Sequence, residues 1–397
     1  MFSLLLGIIY VAFISLGLPD SLIGAGWPVM HTQLNVPVSY AGMVTMIIAG
    51  DTIISSLFSD RMTRKLGAGM VTALSVLTTA VALFGFSIST EFWQLCLWAI
   101  PYGLGAGAVD AALNNFVALH FNSRQMNWLH CFWGVGAAIS PYIMSYALTH
   151  ELGWHAGYWI VGILQVILTA VLFISLPLWK ISTGSQAEAS ATRKKAMRLP
   201  EILRIPGLKI ALLTFISYCS LEAIAGLWAS SFLVQARQVL PATAAKFASL
   251  FYIGITIGRF LSGLVADKLG DRKLIVLGSL GVLVGVIAIV LPLTTDYFAL
   301  FGLVIVGLGC APIYPSIIHA TPFNFGAETS QAVIGVQMAS AYIGSTFAPP
   351  LFGLVANWVG LSIYPWALLL FVILLLGANF KLNQTIDQQH ALNDAVD

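Results

Sequence analysis

The chain has 397 residues, of which 58% are hydrophobic and 9% are charged. A water-soluble fold carries about 25% charged residues, so eighteen Lys+Arg and sixteen Asp+Glu are too few to cover a soluble surface of this size. A mean hydropathy of +0.90 points to a membrane protein. A net charge of +2, with no basic stripe, excludes a nucleic-acid partner.

A membrane helix needs about 20 mostly apolar residues. In chain order, such runs predict spans over 3–30, 38–59, 67–88, 92–119, 127–149 and 156–179. A polar stretch follows, then spans over 208–235, 243–266, 273–292, 297–321, 329–357 and 361–381. Runs this long are helices, because barrel strands alternate over about 10 residues. The fold class expected is an all-α polytopic membrane protein with twelve helices in two six-helix bundles. Their bounds are 1–179 and 207–382, with a linker over 180–206 and a tail over 383–397. The opening MFSLLLGIIYVAFISLGLPD has no basic leader and is too long for a signal-peptide core, so it reads as an uncleaved first span. Cys96, Cys131, Cys219 and Cys310 sit in apolar runs without paired spacing and read as small core residues. No group of His, Cys or acids has metal-ligand spacing, and no metal or cofactor is expected.

Lys and Arg in the loops set orientation. One side carries fifteen of the eighteen, among them Arg61, Arg64, Lys65, Arg124, the Arg193-Lys194-Lys195 run, Lys268, Arg272 and Lys273. The other side carries Arg237 and Lys246, and Arg259 lies within a span. Both termini and the linker are therefore expected in the cytoplasm. The short loops suit a bacterial inner membrane and a protein that works as a monomer.

The two halves repeat. SDRMTRKLG (59–67) is echoed by ADKLGDRKL (266–274), with aspartates 207 positions apart. GVGAAISP (134–141) is echoed by YIGSTFAP (342–349), with prolines 208 apart, and Trp159 and Trp366 are 207 apart. A constant offset indicates a duplicated six-helix unit, and such repeats mark transporters with a site near the bilayer midplane. On the Asp60-Arg61…Arg64-Lys65 motif and its echo Asp267-Lys268…Arg272-Lys273, the chain resembles the major facilitator superfamily. That resemblance implies loops between helices 2 and 3 and between 8 and 9, although Thr63 stands where the family pattern often has Gly. Asp60, Arg61, Arg64, Asp267 and Arg272 are read as structural or gating residues. Such charges fix topology, and an Asp at a helix end pairs with a neighbouring base or caps the next helix.

Five charges fall inside spans: Asp20, Asp51, Asp110, Glu222 and Arg259. A charge at the bilayer centre costs about 2.5–3.5 kcal/mol on insertion scales, so each must find a cavity or a partner. Asp20, among Pro19, Gly24, Gly26 and Pro28, sits past the middle of span 1 where a broken helix is expected to line a cavity. Glu222 in span 7 repeats the pattern, with Gly226 and Trp228 matching Gly24 and Trp27. Asp110 in span 4 shares a helix face with Asn114, and Gly103, Gly105 and Gly107 let a neighbour approach closely. Asp20, Asp110 and Glu222 are the candidates for proton coupling. Asp51 and Arg259, approximate repeat mates, are each read as a residue for structural pairing or gating between the halves, with a partner that the sequence does not name.

His130 stands among Asn127, Trp128 and Trp133, a setting that favours exposure to a cavity. Trp27, Trp133, Trp228 and Tyr314 lie within spans and could stack on a sugar ring, leaving Asp110, Asn114 and Gln337 for hydroxyls. Trp93, Trp98, Trp154, Trp179, Trp358 and Trp366 fit the interfacial belt by position. The GxGxGxxD…N run at 103–114, LHxxxGxGA at 129–137, YxxxExxxGxW at 218–228 and APIYP at 311–315 resemble the fucose–galactose–glucose permease branch. That likeness implies a sugar:proton symporter, with Asp20 and Asp110 in recognition and coupling. The expectation is alternating-access transport of a small polar solute, a hexose-like sugar, with a proton or with Na⁺ in its place. The rival readings are an exporter of drugs or other amphiphiles and, more remotely, a solute-binding receptor.

Overall fold

The computed structural model describes residues 2–37, 40–182, 197–291 and 295–394. Among them, twelve helices are long and apolar enough to cross a membrane. Span 1 is built from α1 (Phe2–Asp20) and α2 (Leu22–Gln33), interrupted at Ser21. Spans 2 to 6 are α3 (Ala41–Leu66), α4 (Ala68–Ser87), α5 (Phe92–His120), α6 (Ser123–Thr149) and α7 (Gly153–Ser182). A single turn, α8 (Leu199–Ile202), precedes span 7, α9 (Leu208–Gln235). Spans 8 and 9 are α10 (Pro241–Leu269) and α11 (Asp271–Val290). Span 10 is broken into α12 (Tyr297–Cys310) and α13 (Ile313–His319), with the short α14 (Thr321–Phe325) behind it. Spans 11 and 12 are α15 (Ser330–Val359) and α16 (Tyr364–Asp394). All twelve spans predicted from hydropathy are present. The last helix continues through most of the segment read as a tail. Most of the 180–206 linker, with its basic run, lies outside the described residues.

The charged motif is a correction to the sequence reading. It is not a loop but helix. Asp60 to Lys65 form the last turns of α3, and Asp267 and Lys268 the last turn of α10. The connections shrink to Gly67 (φ 80°) and Gly270 (φ 74°), a left-handed backbone open to Gly and costly for a β-branched residue. Thr63 holds the place that Gly270 holds in the second copy. The first helix therefore runs one turn further and breaks at Gly67, which leaves Asp60 and Arg64 on one helix face with Nε to Oδ1 at 2.8 Å.

Two compact units form. The first takes the chain up to His120, then from Trp128 to the linker, and also Ala327–Ala339 of span 11. The second takes Phe121–Asn127, the chain from Met197 to Gly326, and Ser340 onward. In the first unit, α5 lies directly on its neighbours at its glycines. A side chain at Gly103 would strike the Ile48 carbonyl and one at Gly107 the Thr52 carbonyl. Thr52 Oγ1 and Ser56 Oγ donate to the Gly103 and Gly107 carbonyls at 3.1 and 3.3 Å. Gly105 meets Ser75 of α4 in the same way. Spans 1 and 5 cross where Gly17 and Gly136 leave no room for a Cβ. The repeat mate of Gly136, Gly344, sits against the Ile216 carbonyl of span 7 in the second unit. The duplication read from sequence thus recurs at the helix crossings.

Candidate solute site

In the first unit, the crossing of spans 1 and 5 fixes the site. With the helices in backbone contact at Gly17 and Gly136, the end of α1 lies beside Trp133. Asp20 is the last residue of α1, at the Ser21 interruption, and its side chain is exposed at a depth of about 27 Å along the helix. Trp133 Nε1 donates to Asp20 Oδ2 at 3.0 Å, and the Tyr102 hydroxyl donates to Oδ1 at 3.1 Å. Tyr102 is buried between spans, edge-on to Phe86, so its hydroxyl is held in place. A carboxylate with both oxygens tied to fixed donors, and one edge left open, can accept from hydroxyl donors or bind a proton.

Trp27 does not share this site. It is 5% exposed in the apolar core with Met30 and Phe92. The indole at Asp20 comes from span 5.

Asp110, Asn114 and His130 form a second cluster, buried in the first unit. Asn114 Nδ2 donates to Asp110 Oδ1 at 2.7 Å. Asn114 Oδ1 faces His130 Nε2 at 3.0 Å, and since an amide oxygen only accepts, Nε2 carries the proton. Phe13 of span 1 packs edge-on against the His130 ring at 5.4 Å. The shared face read for Asp110 and Asn114 exists, turned into protein. Gln337 is likewise 1% exposed. Asn115 points the other way and accepts from Ser330 Oγ at 2.6 Å.

The second unit places Glu222 differently from Asp20. Span 7 is unbroken from Leu208 to Gln235. The Tyr218 hydroxyl, one turn earlier on the same face, donates to Glu222 and lies 3.0 Å from the Cys310 carbonyl at the break in span 10. Arg259 of span 8 is 4% exposed, with Nη2 3.9 Å from Glu222 Oε1. Arg259 thus pairs with Glu222. Asp51 stands apart, in an apolar groove of about 550 Å³ that includes Met46, Ile54, Trp93 and Leu97. Tyr314 packs on Phe215 at 4.8 Å. Trp228 donates from Nε1 to the Pro349 carbonyl at 3.0 Å and fills the space over Gly353, a packing role.

The other candidate charges lie at helix ends. Arg64 also reaches the Glu328 carbonyl at 3.4 Å, and Arg61 lies over the Phe58 ring at 5.4 Å. Asp267 pairs with Arg124 at 3.0 Å, and Arg272 with Asp387 at 2.8 Å. Two belt residues are corrected: Trp154 (0%) and Trp179 (4%) are buried, whereas Trp93, Trp358 and Trp366 are exposed as expected.

Sequence reasoning missed Tyr102 and Tyr218. Tyr218 was legible, since it stands four residues before Glu222 and so shares its helix face. Tyr102 comes from another span, and no spacing announces it. Among the described residues, no group of three or more His, Cys, Asp or Glu could hold a metal ion.

The sequence model of the Major Facilitator Superfamily matches residues 9–214 and 210–382. A cis,cis-muconate transport protein of Acinetobacter baylyi is 22% identical over 91% of this chain and 90% of its own. The glucose/mannose transporter GlcP of Bacillus subtilis is 20% identical over 95% and 94%. The crystal structure of the E. coli fucose:proton symporter FucP superposes with a TM-score of 0.75 at 14% identity, covering 96% of this chain and 98% of that one.

Proposed function

Since the chain belongs to the Major Facilitator Superfamily, and is accordingly a secondary transporter of a small solute by alternating access, we propose that its solute is a hexose-like sugar carried together with a proton. One observation carries this reading: the exposed Asp20 carboxylate at a helix break, flanked by the Trp133 indole and anchored by the buried Tyr102. An indole face packs on the C–H face of a pyranose, and the carboxylate accepts from its hydroxyls. The basic helix turns face the cytoplasm, in keeping with the positive-inside rule. Asp20 takes the proton on the opposite side and delivers it inward. Asp110 and Glu222 are further acids able to take part.

A second reading is favoured by the buried Arg259, whose guanidinium would suit an organic anion, and by the muconate transport relative. A thermal-shift panel separates the two, because a ligand that binds the folded state raises its apparent stability. Hexoses at millimolar concentration are expected to raise the melting midpoint, and to fail to do so in Asp20→Asn. A shift with cis,cis-muconate and none with any hexose would overturn the sugar reading.

A further inference from the structure

At the end that carries the basic helix turns, the second unit contains a cluster with no part in the solute site. His319, the last residue of α13, points both ring nitrogens at acceptors. Nδ1 lies 2.6 Å from Asp271 Oδ2, and Nε2 lies 2.9 Å from the Phe121 carbonyl oxygen. Asp271, at the start of α11, accepts on its other oxygen from Ser123 Oγ at 2.6 Å. Beside them, Arg124 pairs with Asp267, which adds a second negative charge facing the imidazole. Asp271 and Asp267 thus face His319, with Arg124 paired to Asp267.

A neutral imidazole carries one N–H, and an imidazolium carries two. A carboxylate and a carbonyl are both acceptors. The arrangement is therefore fully satisfied only when one proton lies between Nδ1 and Asp271 Oδ2 and a second is on Nε2. The ring is mostly covered, at 18% exposure, so water cannot freely replace a lost bond. We propose that His319, with Asp271, is a proton-binding site separate from the solute site, and that its proton holds Phe121–Asn127 against the starts and ends of spans 9 and 10. Loss of that proton removes one of the two ring hydrogen bonds and the ion pair together. The segment at the start of span 5 is then released.

This goes beyond the sugar and coupling reading and rests only on the placement of the basic end in the cytoplasm. It predicts that a rise in cytoplasmic pH loosens this end of the transporter. Histidine is the side chain whose charge changes near neutral pH, so the response falls in the physiological range.

The test is hydrogen–deuterium exchange of the full chain in lipid nanodiscs, without solute, between about pH 5.5 and about pH 8.5, corrected for intrinsic exchange. Peptides covering 121–127 and 313–325 are expected to lose protection several-fold as pH rises, while peptides of α4, which holds no titratable side chain, do not change. In His319→Gln, protection becomes independent of pH. In Asp271→Asn, it is low at both ends of the range. Equal wild-type protection across the range, or a wild-type pH response retained in His319→Gln, would overturn the proposal. Because the wild-type comparison stands without any variant, a misfolded variant leaves the result intact. Because no solute is present, failure here is distinct from failure of the sugar reading.

Discussion

At Asp20, the proposed solute contact, the neighbouring donors matter as much as the carboxylate. Tyr102 is buried and packed against Phe86, and Trp133 is brought to Asp20 by the crossing of spans 1 and 5, so both donors are set on the carboxylate by the fold. A hydrogen bond to a charged group is worth about 1.5–3 kcal/mol. Trp133→Phe keeps a ring but removes the N–H. It is expected to raise the solute KM about tenfold, with little change in melting midpoint; an unchanged KM would remove Trp133 from the site. Tyr102→Phe, in a buried setting, is expected to lower both apparent affinity and stability by about 1–2 kcal/mol. The acids of this site were legible in the sequence, because ionisable residues in apolar runs are few. Their partners were not. Trp27 was the indole nearest Asp20 in sequence, yet it is in the core, while Trp133 arrives from span 5 through a helix crossing. His130 and Gln337 look like cavity residues by type, and packing turns both inward.

At the scale of the helices, glycines decide where the side chains above can meet. Gly136→Val places a branched side chain into the Ile14 carbonyl and is expected to lower stability by about 1–3 kcal/mol, read as a drop in melting midpoint. Gly24, the sequence mate of Gly226, has nothing within 4 Å of where a Cβ would sit. Gly24→Ala is expected to leave the midpoint unchanged or to raise it slightly, by up to about 1 kcal/mol from helix propensity. If both substitutions behaved alike, the crossing of spans 1 and 5 would not be what positions the site. Helix number and most helix ends were legible from hydropathy, since about 20 apolar residues admit one solution in a bilayer. The charged motif was placed one element wrong. Charges at helix ends and charges in loops have the same composition. Only the left-handed backbone at Gly67 and Gly270 shows that the helices run through them.

Across the whole molecule, the duplication seen in the 207-residue offset organises both units, but the halves have diverged at their acids. The first half has a broken span with an exposed carboxylate. The second has an unbroken span with a carboxylate paired to Arg259 and Tyr218. One acid is thus exposed at a helix break, and its repeat mate is held by an arginine and a tyrosine of its own unit. The exchange of short segments, Phe121–Asn127 into one unit and Ala327–Ala339 into the other, follows from contacts that no periodicity announces. The central claim is that Asp20 couples solute to protons. It is tested most directly by hexose uptake into proteoliposomes under an imposed pH gradient, comparing wild type with Asp20→Asn. The account predicts accumulation above equilibrium when the outside is acidic, collapse of that accumulation when the gradient is dissipated, and none in the variant. Uptake indifferent to the gradient and unchanged by Asp20→Asn would contradict it.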